Sequence, residues 1–162
     1  MFREMRRKKQ QLTEVECIGI LNKNTSGVLA VSGDNGYPYA VPLSYVYDNG
    51  LLYFHCATSG HKLDAIKTSD KVSFCVVDQD IVVPQKYTTC FRSVIIFGRA
   101  SVMDQEDEIH SAIEKLAIKY HPDDGKDNRD SVIEKGCKAM CMVKIQIEHI
   151  TGKEAIELIN AH

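Results

Sequence analysis

The chain has 162 residues, of which 44% are hydrophobic and 26% charged, and its formal net charge is −2 at pH 7. This length and composition fit one globular domain over residues 1–162 that can bury its own core. The small net charge gives no electrostatic case for nucleic-acid binding, and no apolar run approaches the length that crosses a membrane.

The termini and cysteines give expectations about location and metals. Residues 1–10 are basic, but no apolar stretch follows them, so we predict a solvated tail and no secretory signal. The six cysteines show no C-x-x-C spacing, and four of them lie inside apolar runs, where a free thiol packs as a small hydrophobe. We therefore predict no metal site, and several reduced thiols indicate a cytoplasmic protein.

The first third of the chain predicts a helix and then three strands. Thr13 and Glu16 have the spacing of a capping box, which begins a helix over residues 13–21. Two Asn-Gly pairs favour tight hairpin turns. These turns separate predicted strands at residues 27–31, 37–47 and 51–57. Two prolines in the middle strand place it at a sheet edge or bulge.

The rest of the chain predicts three helices and three strands, with loops at residues 78–89 and 121–130. A short helix after residue 60 carries Leu63 and Ile66, and a longer one over residues 107–120 keeps an unbroken apolar face. The predicted strands cover residues 71–77, 91–102 and 141–149, one more helical turn covers residues 131–135, and a short helix follows Gly152. Hairpin-linked strands predict a mainly β (α+β) fold, a six-stranded antiparallel barrel with peripheral helices.

The segment from Tyr53 to Lys62 is the most informative for function. An aromatic strand ends in a turn of small residues, and the turn brings Gly60, His61 and Lys62 to the start of a helix. Backbone donors, fixed positive charge and a helix N-terminus together predict a phosphate site. The alternative is a solvated turn with two exposed cations. No Walker loop or G-x-G-x-x-G motif is present, so a P-loop or Rossmann nucleotide site is not expected.

A resemblance to a known family rests on residues 36–48, 53–55, 60–64, 91–100 and 152–154, in order along the chain, and runs from about residue 5 to about 156. These segments resemble the nitroimidazole-resistance (Nim) family of the pyridoxamine 5′-phosphate oxidase-like flavoproteins. It implies a split β-barrel that forms a homodimer and binds FMN at the dimer interface. An apolar strand over residues 91–102 with two apolar faces independently predicts a partner.

The resemblance also implies roles for particular residues. The FMN phosphate is expected on His61 and Lys62, and His55 near the flavin. The strand that carries Arg92 is expected to reach the partner's flavin. Cys56 is expected to pack rather than react, because no second cysteine lies near it in sequence. The expected cofactor contacts are Val41, Pro42, Leu43, Ser44, Tyr45, His55, Cys56, Gly60, His61, Lys62, Arg92 and Ser93.

The expected reaction is flavin-dependent reduction of a small acceptor such as a 5-nitroimidazole, with His55 as a candidate proton donor. Vitamin B6 oxidation is not expected, because the C-terminal stretch lacks the arginines that hold the substrate phosphate in the pyridoxamine 5′-phosphate oxidases. The alternative is a non-catalytic protein that binds flavin, or haem with a histidine as axial ligand. No dinucleotide fingerprint identifies an electron donor.

Overall fold

A computed structural model describes residues 1–136 and 139–159. The strands in this part of the chain are β1 (Gln11–Leu12), β2 (Ser26–Ser32), β3 (Pro38–Ser44), β4 (Val46–Asp48), β5 (Leu51–Cys56), β6 (Lys71–Val83), β7 (Thr88–Val102) and β8 (Cys141–Glu154). The helices are α1 (Glu14–Lys23), α2 (His61–Thr68), α3 (Glu106–Tyr120), α4 (Lys126–Gly136) and α5 (Ile156–Ile159). Short 3₁₀ turns lie at Lys8–Gln10, Asp34–Gly36 and Pro84–Lys86.

The strands form one antiparallel sheet in the order β3-β2-β6-β7-β8-β5-β4, and β1 pairs with β8 outside this path. The sheet curls until β3 packs against β5 without hydrogen-bonding to it, so the barrel stays split. The fold is therefore the α+β antiparallel barrel that the hairpin pattern predicted, in the split form that the family resemblance implied. No helix of the described residues is long and apolar enough to cross a membrane.

Two apolar clusters hold the sheet and helices together. The larger fills the barrel and includes the fully buried Tyr45, Phe54 and Phe74. The smaller lies on the outer face of the sheet, where Tyr53 and Met142 pack against residues of α3 and α4. Strand β5 supplies both clusters because successive side chains of a strand point to opposite faces.

Local signals in the sequence predicted the first helix and the hairpin turns correctly. The Thr13 hydroxyl accepts the backbone N–H of Glu16, and the Glu16 carboxylate accepts the N–H of Thr13, which completes the capping box. Both Asn-Gly turns have positive φ, with 55° at Asn35 and 45° at Asn49. Asparagine and glycine tolerate this backbone region at little cost.

The structure corrects several predicted boundaries. The strand predicted at residues 37–47 is broken at Tyr45 into β3 and β4, and the last strand continues to Glu154. Most of the predicted loop at 78–89 belongs to the β6–β7 hairpin, with a register shift between Val77 and Gln79. Part of the loop at 121–130 is the start of α4. With β1 added, the sheet has eight described strands instead of the six predicted.

The N-terminal segment, predicted as a solvated tail, contacts the sheet at two points. The Gln10 side chain is buried and donates to the Glu154 carbonyl at 2.9 Å. The Phe2 ring stacks on His149, with 4.6 Å between ring centres, and on Phe97 at 5.6 Å. An aromatic residue inside the basic run therefore covers part of the outer sheet face.

Candidate functional site

The turn after β5 leads directly into the start of α2. Gly60 is the N-cap residue of α2, and its φ of 138° lies in the region that favours glycine. No side chain of the described residues caps this helix. The N–H groups of the first helical residues, including His61 and Lys62, have no partner within the helix. The start of α2 therefore offers backbone donors and the positive end of the helix dipole to an anion.

Lys62 adds a fixed charge to this helix start. Its side chain is half-buried, and no carboxylate among the described residues lies within ion-pair distance of it. The charge acts on the neighbouring Cys56 thiol, whose pKa it lowers against a larger rise caused by burial. A half-buried lysine without a counter-ion beside free N–H donors matches the chemistry of a phosphate site.

His61 connects α2 to the β2–β3 hairpin. Its ring stacks on Tyr39 of β3, with 4.2 Å between ring centres and 29° between ring planes. Its Nε2 lies 3.7 Å from a carboxylate oxygen of Asp34, and its side chain remains 38% exposed. A Cβ placed at Gly33 would come 3.3 Å from that same nitrogen. The helix start and strand β3 therefore form the walls of one site.

Among the described strands, β3 forms one end of the sheet and pairs only with β2. An edge strand has backbone N–H and C=O groups that no neighbouring strand uses. Val41 and Leu43 are half-buried against the barrel core, whereas Pro42 and Ser44 are exposed. These four expected contact residues form a continuous edge that a planar ligand can follow, with the Ser44 hydroxyl open to solvent.

Tyr45 lies apart from that exposed edge. Its ring is fully buried against Phe74, and its hydroxyl donates to the Leu21 carbonyl at 2.9 Å. Burial raises the pKa of this phenol well above its ordinary value. The hydroxyl expected to contact a ligand is therefore used inside the core, where it joins α1 to the sheet.

His55 and Cys56, adjacent on β5, point to opposite faces of the sheet. Cys56 packs against the barrel core, together with Val41 and Leu43, while the His55 side chain is exposed. Within one chain, the structure groups Cys56 but not His55 with the inner face of β3. Cys141 of β8 lies directly opposite Cys56.

Arg92 and Ser93 lie in the first half of β7. The Arg92 guanidinium pairs with the Glu154 carboxylate, with 2.7 Å between Nη2 and Oε2, and the arginine is 28% exposed. Ser93 is half-buried opposite Lys153. Ile95 and Phe97, which lie on the same face of the sheet as Ser93, are 42% and 40% exposed. Neither Arg92 nor Ser93 lies on a strand adjacent to β3, because β2 and β6 come between β3 and β7 in the sheet.

Sequence reasoning missed three residues at this site: Asp34, Tyr39 and Cys141. Tyr39 could have been found, because it shares the parity of Val41 and Leu43 along β3. Asp34 comes directly before the first Asn-Gly pair, which predicted a turn and no ligand contact. Cys141 had no local signal, because it meets Cys56 only through the β5–β8 pairing.

The fold and site together define a split-barrel protein in which the start of a helix offers backbone donors beside an open sheet edge. The chain belongs to the pyridoxamine 5′-phosphate oxidase family, whose model matches residues 13–154. No curated protein sequence matches the chain significantly.

Solved structures with the same fold include proteins of different descriptions. A conserved hypothetical protein from Mycobacterium tuberculosis superposes with a TM-score of 0.80 at 19% identity, covering 96% of this chain and 92% of that one. A candidate 5-nitroimidazole antibiotic resistance protein from Bacteroides thetaiotaomicron gives 0.73 at 19% identity, covering 89% and 86%. An FAD and haem binding protein from Mycobacterium smegmatis also gives 0.73 at 19% identity, covering 94% and 80%. At these identities the likeness shows the fold alone.

Proposed function

We propose that the protein binds FMN, with the phosphate at the start of α2 and the ring system along the edge of β3. The observation that carries the proposal is the uncapped helix start, where Lys62 has no counter-ion among the described residues. Backbone N–H groups and a lysine ammonium provide the charge-assisted hydrogen bonds that a phosphate monoester needs. The stack of His61 on Tyr39 supports a single continuous site.

The ring system of the ligand would lie against β3. Val41 and Leu43 offer apolar surface, and the unpaired backbone edge offers donors and acceptors for a polar ring rim. Pro42 cannot donate a backbone hydrogen bond, which keeps part of that edge free of strand pairing. We further propose that the protein is a homodimer in which Arg92 and Ser93 reach the partner's flavin, with Arg92 held by Glu154.

Flavin binding is tested on the purified wild type by its absorption spectrum and by identifying the flavin released on heating. Replacing both His61 and Lys62 with alanine should weaken FMN binding at least about a hundredfold, because charge-assisted hydrogen bonds contribute about 1.5–3 kcal/mol each. The control is the double variant of Lys67→Ala and His110→Ala. It removes the same residue types, one from the far end of α2 and one from the exposed side of α3. Unchanged affinity in the first double variant would move the phosphate elsewhere, and released FAD would replace FMN as the ligand.

The reaction that we propose is reduction of a small acceptor such as a 5-nitroimidazole. A bound flavin supplies the redox chemistry, while the chain holds it and controls protons. Reduction of a nitro group consumes protons, and the exposed His55 imidazole could deliver them. Because His55 projects from the face opposite Cys56, the acceptor would have to approach from that outer face.

Anaerobic reoxidation tests both the reaction and the role of His55. Chemically reduced holoprotein should regain its colour faster with a nitroimidazole than with buffer alone. His55→Ala should slow that step by roughly 10²–10⁴-fold while leaving FMN affinity nearly unchanged. If His55→Ala reoxidises as fast as the wild type, His55 has no proton role. If the nitroimidazole has no effect on the wild type, the protein is not a reductase of this acceptor.

The second candidate function is a non-catalytic carrier of flavin or haem. A protein of the same fold is described as binding both FAD and haem, which favours testing for both. Haem would require a histidine axial ligand on an apolar wall and would give a Soret band, which a flavin does not. The same absorption spectrum therefore separates the two cofactors.

A further inference from the structure

Cys56 and Cys141 lie directly opposite each other in the β5–β8 ladder. Directly opposed residues of an antiparallel pair have Cα atoms about 4.5–5.5 Å apart. Disulfides usually span Cα separations of about 4.4–6.8 Å. Opposed side chains also share one face of the sheet. The pairing of two strands therefore brings these cysteines to a separation that a disulfide bond can bridge.

The two thiols interact in the reduced protein. Both cysteines are free and partly buried against the barrel core. Burial raises the pKa of the Cys56 thiol, the charge of Lys62 lowers it, and the neighbouring Cys141 thiol raises it. The sulfur atoms are therefore close enough to affect each other's chemistry, and Cys56 also responds to the charge at the start of α2.

The other described cysteines lack this arrangement. Cys17 is 1% exposed. Cys75 lies opposite Val28 on one side and Ile95 on the other, and Cys90 lies opposite Ile81. Cys137 lies outside the described residues. Within residues 1–136 and 139–159, Cys56 and Cys141 are thus the only cysteines that the sheet register pairs.

We propose that Cys56 and Cys141 form a reversible disulfide bond that links the end of β5 to the start of β8. Sequence reasoning assigned Cys56 to packing because no second cysteine lay nearby in the chain. The fold supplies that second cysteine from a distant strand. Because Cys56 is the last residue of β5 and Gly60 caps α2, the bond would restrain the turn that begins the helix.

The oxidant is a low-molecular-weight disulfide of the glutathione type. One cysteine thiol loses its proton, and the thiolate attacks the small disulfide, whose S–S bond breaks. One small thiol leaves with the proton, and a mixed disulfide remains on the protein. The second cysteine then loses its proton and attacks the protein sulfur, which releases the second small thiol. Two electrons pass from the protein dithiol to the small disulfide, and excess small thiol reverses both steps.

A consequence for ligand binding rests on the proposed function. If a flavin phosphate binds at the start of α2, the disulfide should change FMN affinity, because it restrains the turn that presents the N–H donors. The bond itself requires no flavin. Mapping the disulfide and measuring FMN affinity therefore separate a failure of this inference from a failure of the proposed function.

The test is incubation of the reduced full chain with oxidised glutathione, followed by alkylation of remaining thiols and peptide mass mapping. The expected product is a peptide pair joined through Cys56 and Cys141, which excess reduced glutathione converts back to free thiols. In Cys56→Ser and in Cys141→Ser, the reaction should stop at a single glutathione adduct on the other cysteine of this pair. Cys75→Ser and Cys90→Ser are the controls, and both should still form the bond.

The Cys137→Ser variant removes the competing cysteine closest to Cys141 in sequence. The joined peptides should still appear in this variant. A bond between Cys137 and Cys141 in the wild type would overturn the proposal. So would wild-type protein that keeps Cys56 and Cys141 as free thiols or separate glutathione adducts under conditions in which small dithiols oxidise.

Discussion

Lys119 of α3 shows how one half-buried amine connects three elements of the fold. Burial removes water from its ammonium group and lowers its pKa to about 8. Its Nζ donates to the Leu21 carbonyl at 3.1 Å and lies 4.2 Å from the centre of the Tyr45 ring. Both contacts favour the charged form and offset part of the cost of burial. Tyr45 also donates to the Leu21 carbonyl, so the oxygen keeps a partner if the amine is removed.

The cost of burying the Lys119 charge should depend on pH with a definite sign. Its folded-state pKa lies below the ordinary value of 10.5, so the cost is full below about pH 8 and disappears above the ordinary pKa. The stability of Lys119→Met relative to wild type should therefore fall as pH rises from 7 to 10. Urea denaturation of both proteins at the two pH values measures this change.

Lys115, one turn earlier on α3, is the control for that measurement. Its ammonium lies 2.6 Å from an Asp48 carboxylate oxygen, and this hydrogen bond raises its pKa above 10.5. A raised pKa gives stabilisation that is full below the ordinary value and lost only above the folded-state value. Lys115→Met should therefore be destabilised by nearly the same amount at pH 7 and pH 10. If the stability of Lys119→Met relative to wild type were also the same at pH 7 and pH 10, the assigned cost of burying the Lys119 charge would be contradicted.

Residues of the site differ in how far the sequence alone could place them. The position of His61 and Lys62 at the start of a helix follows from local signals, a glycine turn and the apolar spacing after it. Strand alternation places Val41 and Leu43 on one face of β3, and both pack against the barrel core. Parity could not predict that the Tyr45 hydroxyl would bond to Leu21, since that contact depends on where α1 crosses the sheet.

At the scale of elements, the sequence failed where pairing or tertiary contact overrides local composition. Residues 78–80 are polar and Pro84 interrupts the β-prone sequence that follows them, so this segment resembles a loop. Strand β6 nevertheless continues, because β7 supplies a hydrogen-bonding partner along its length. The sequence of helix α4 is mostly polar, but Ile133 is buried, at 4% exposed. In the first turn of the helix, the Asn128 side chain donates a hydrogen bond to the Asp124 carboxylate. One buried anchor and a few local hydrogen bonds give little periodicity for a sequence pattern to detect.

Gly152 tests how tightly the N-terminal elements close over β8. A Cβ at this position would come 2.5 Å from the Cys17 sulfur and 2.9 Å from the Leu12 side chain, both buried. Gly152→Ala should therefore lower the free energy of unfolding by about 1–3 kcal/mol, because the crowded neighbours must shift. Chemical denaturation followed by circular dichroism measures the change.

Gly19, in the middle of α1, is the control for that substitution. An added Cβ there meets nothing within 4 Å. Gly19→Ala should raise stability by about 0.5–1 kcal/mol, because alanine loses less backbone freedom than glycine on forming a helix. If Gly152→Ala were as stable as the wild type, β1 and α1 would not pack against β8 as closely as described.

At the scale of the whole molecule, the exposed apolar surface on the outer face of the sheet concerns assembly. Ile95 and Phe97 are open on that face, and Phe2 covers only part of it. The β6–β7 hairpin also exposes Ile81 and Val82, which are successive strand residues and point to opposite faces. A surface of this kind on a small domain fits a partner, and a second copy of the chain is the partner that the proposed function requires.

The assembly prediction is that the wild type sediments as a dimer at micromolar concentration and that Ile95→Asp shifts it towards monomer. A carboxylate at the centre of an apolar interface would be buried without a partner, which is costly. Val102→Asp is the control, because Val102 is 40% exposed on the far end of the same strand. Circular dichroism checks that both variants fold.

If Arg92 and Ser93 contact the partner's flavin, the Ile95→Asp monomer should also bind FMN more weakly than Val102→Asp. A monomeric wild type would contradict the dimer, and a variant that stays dimeric would place the interface on another face.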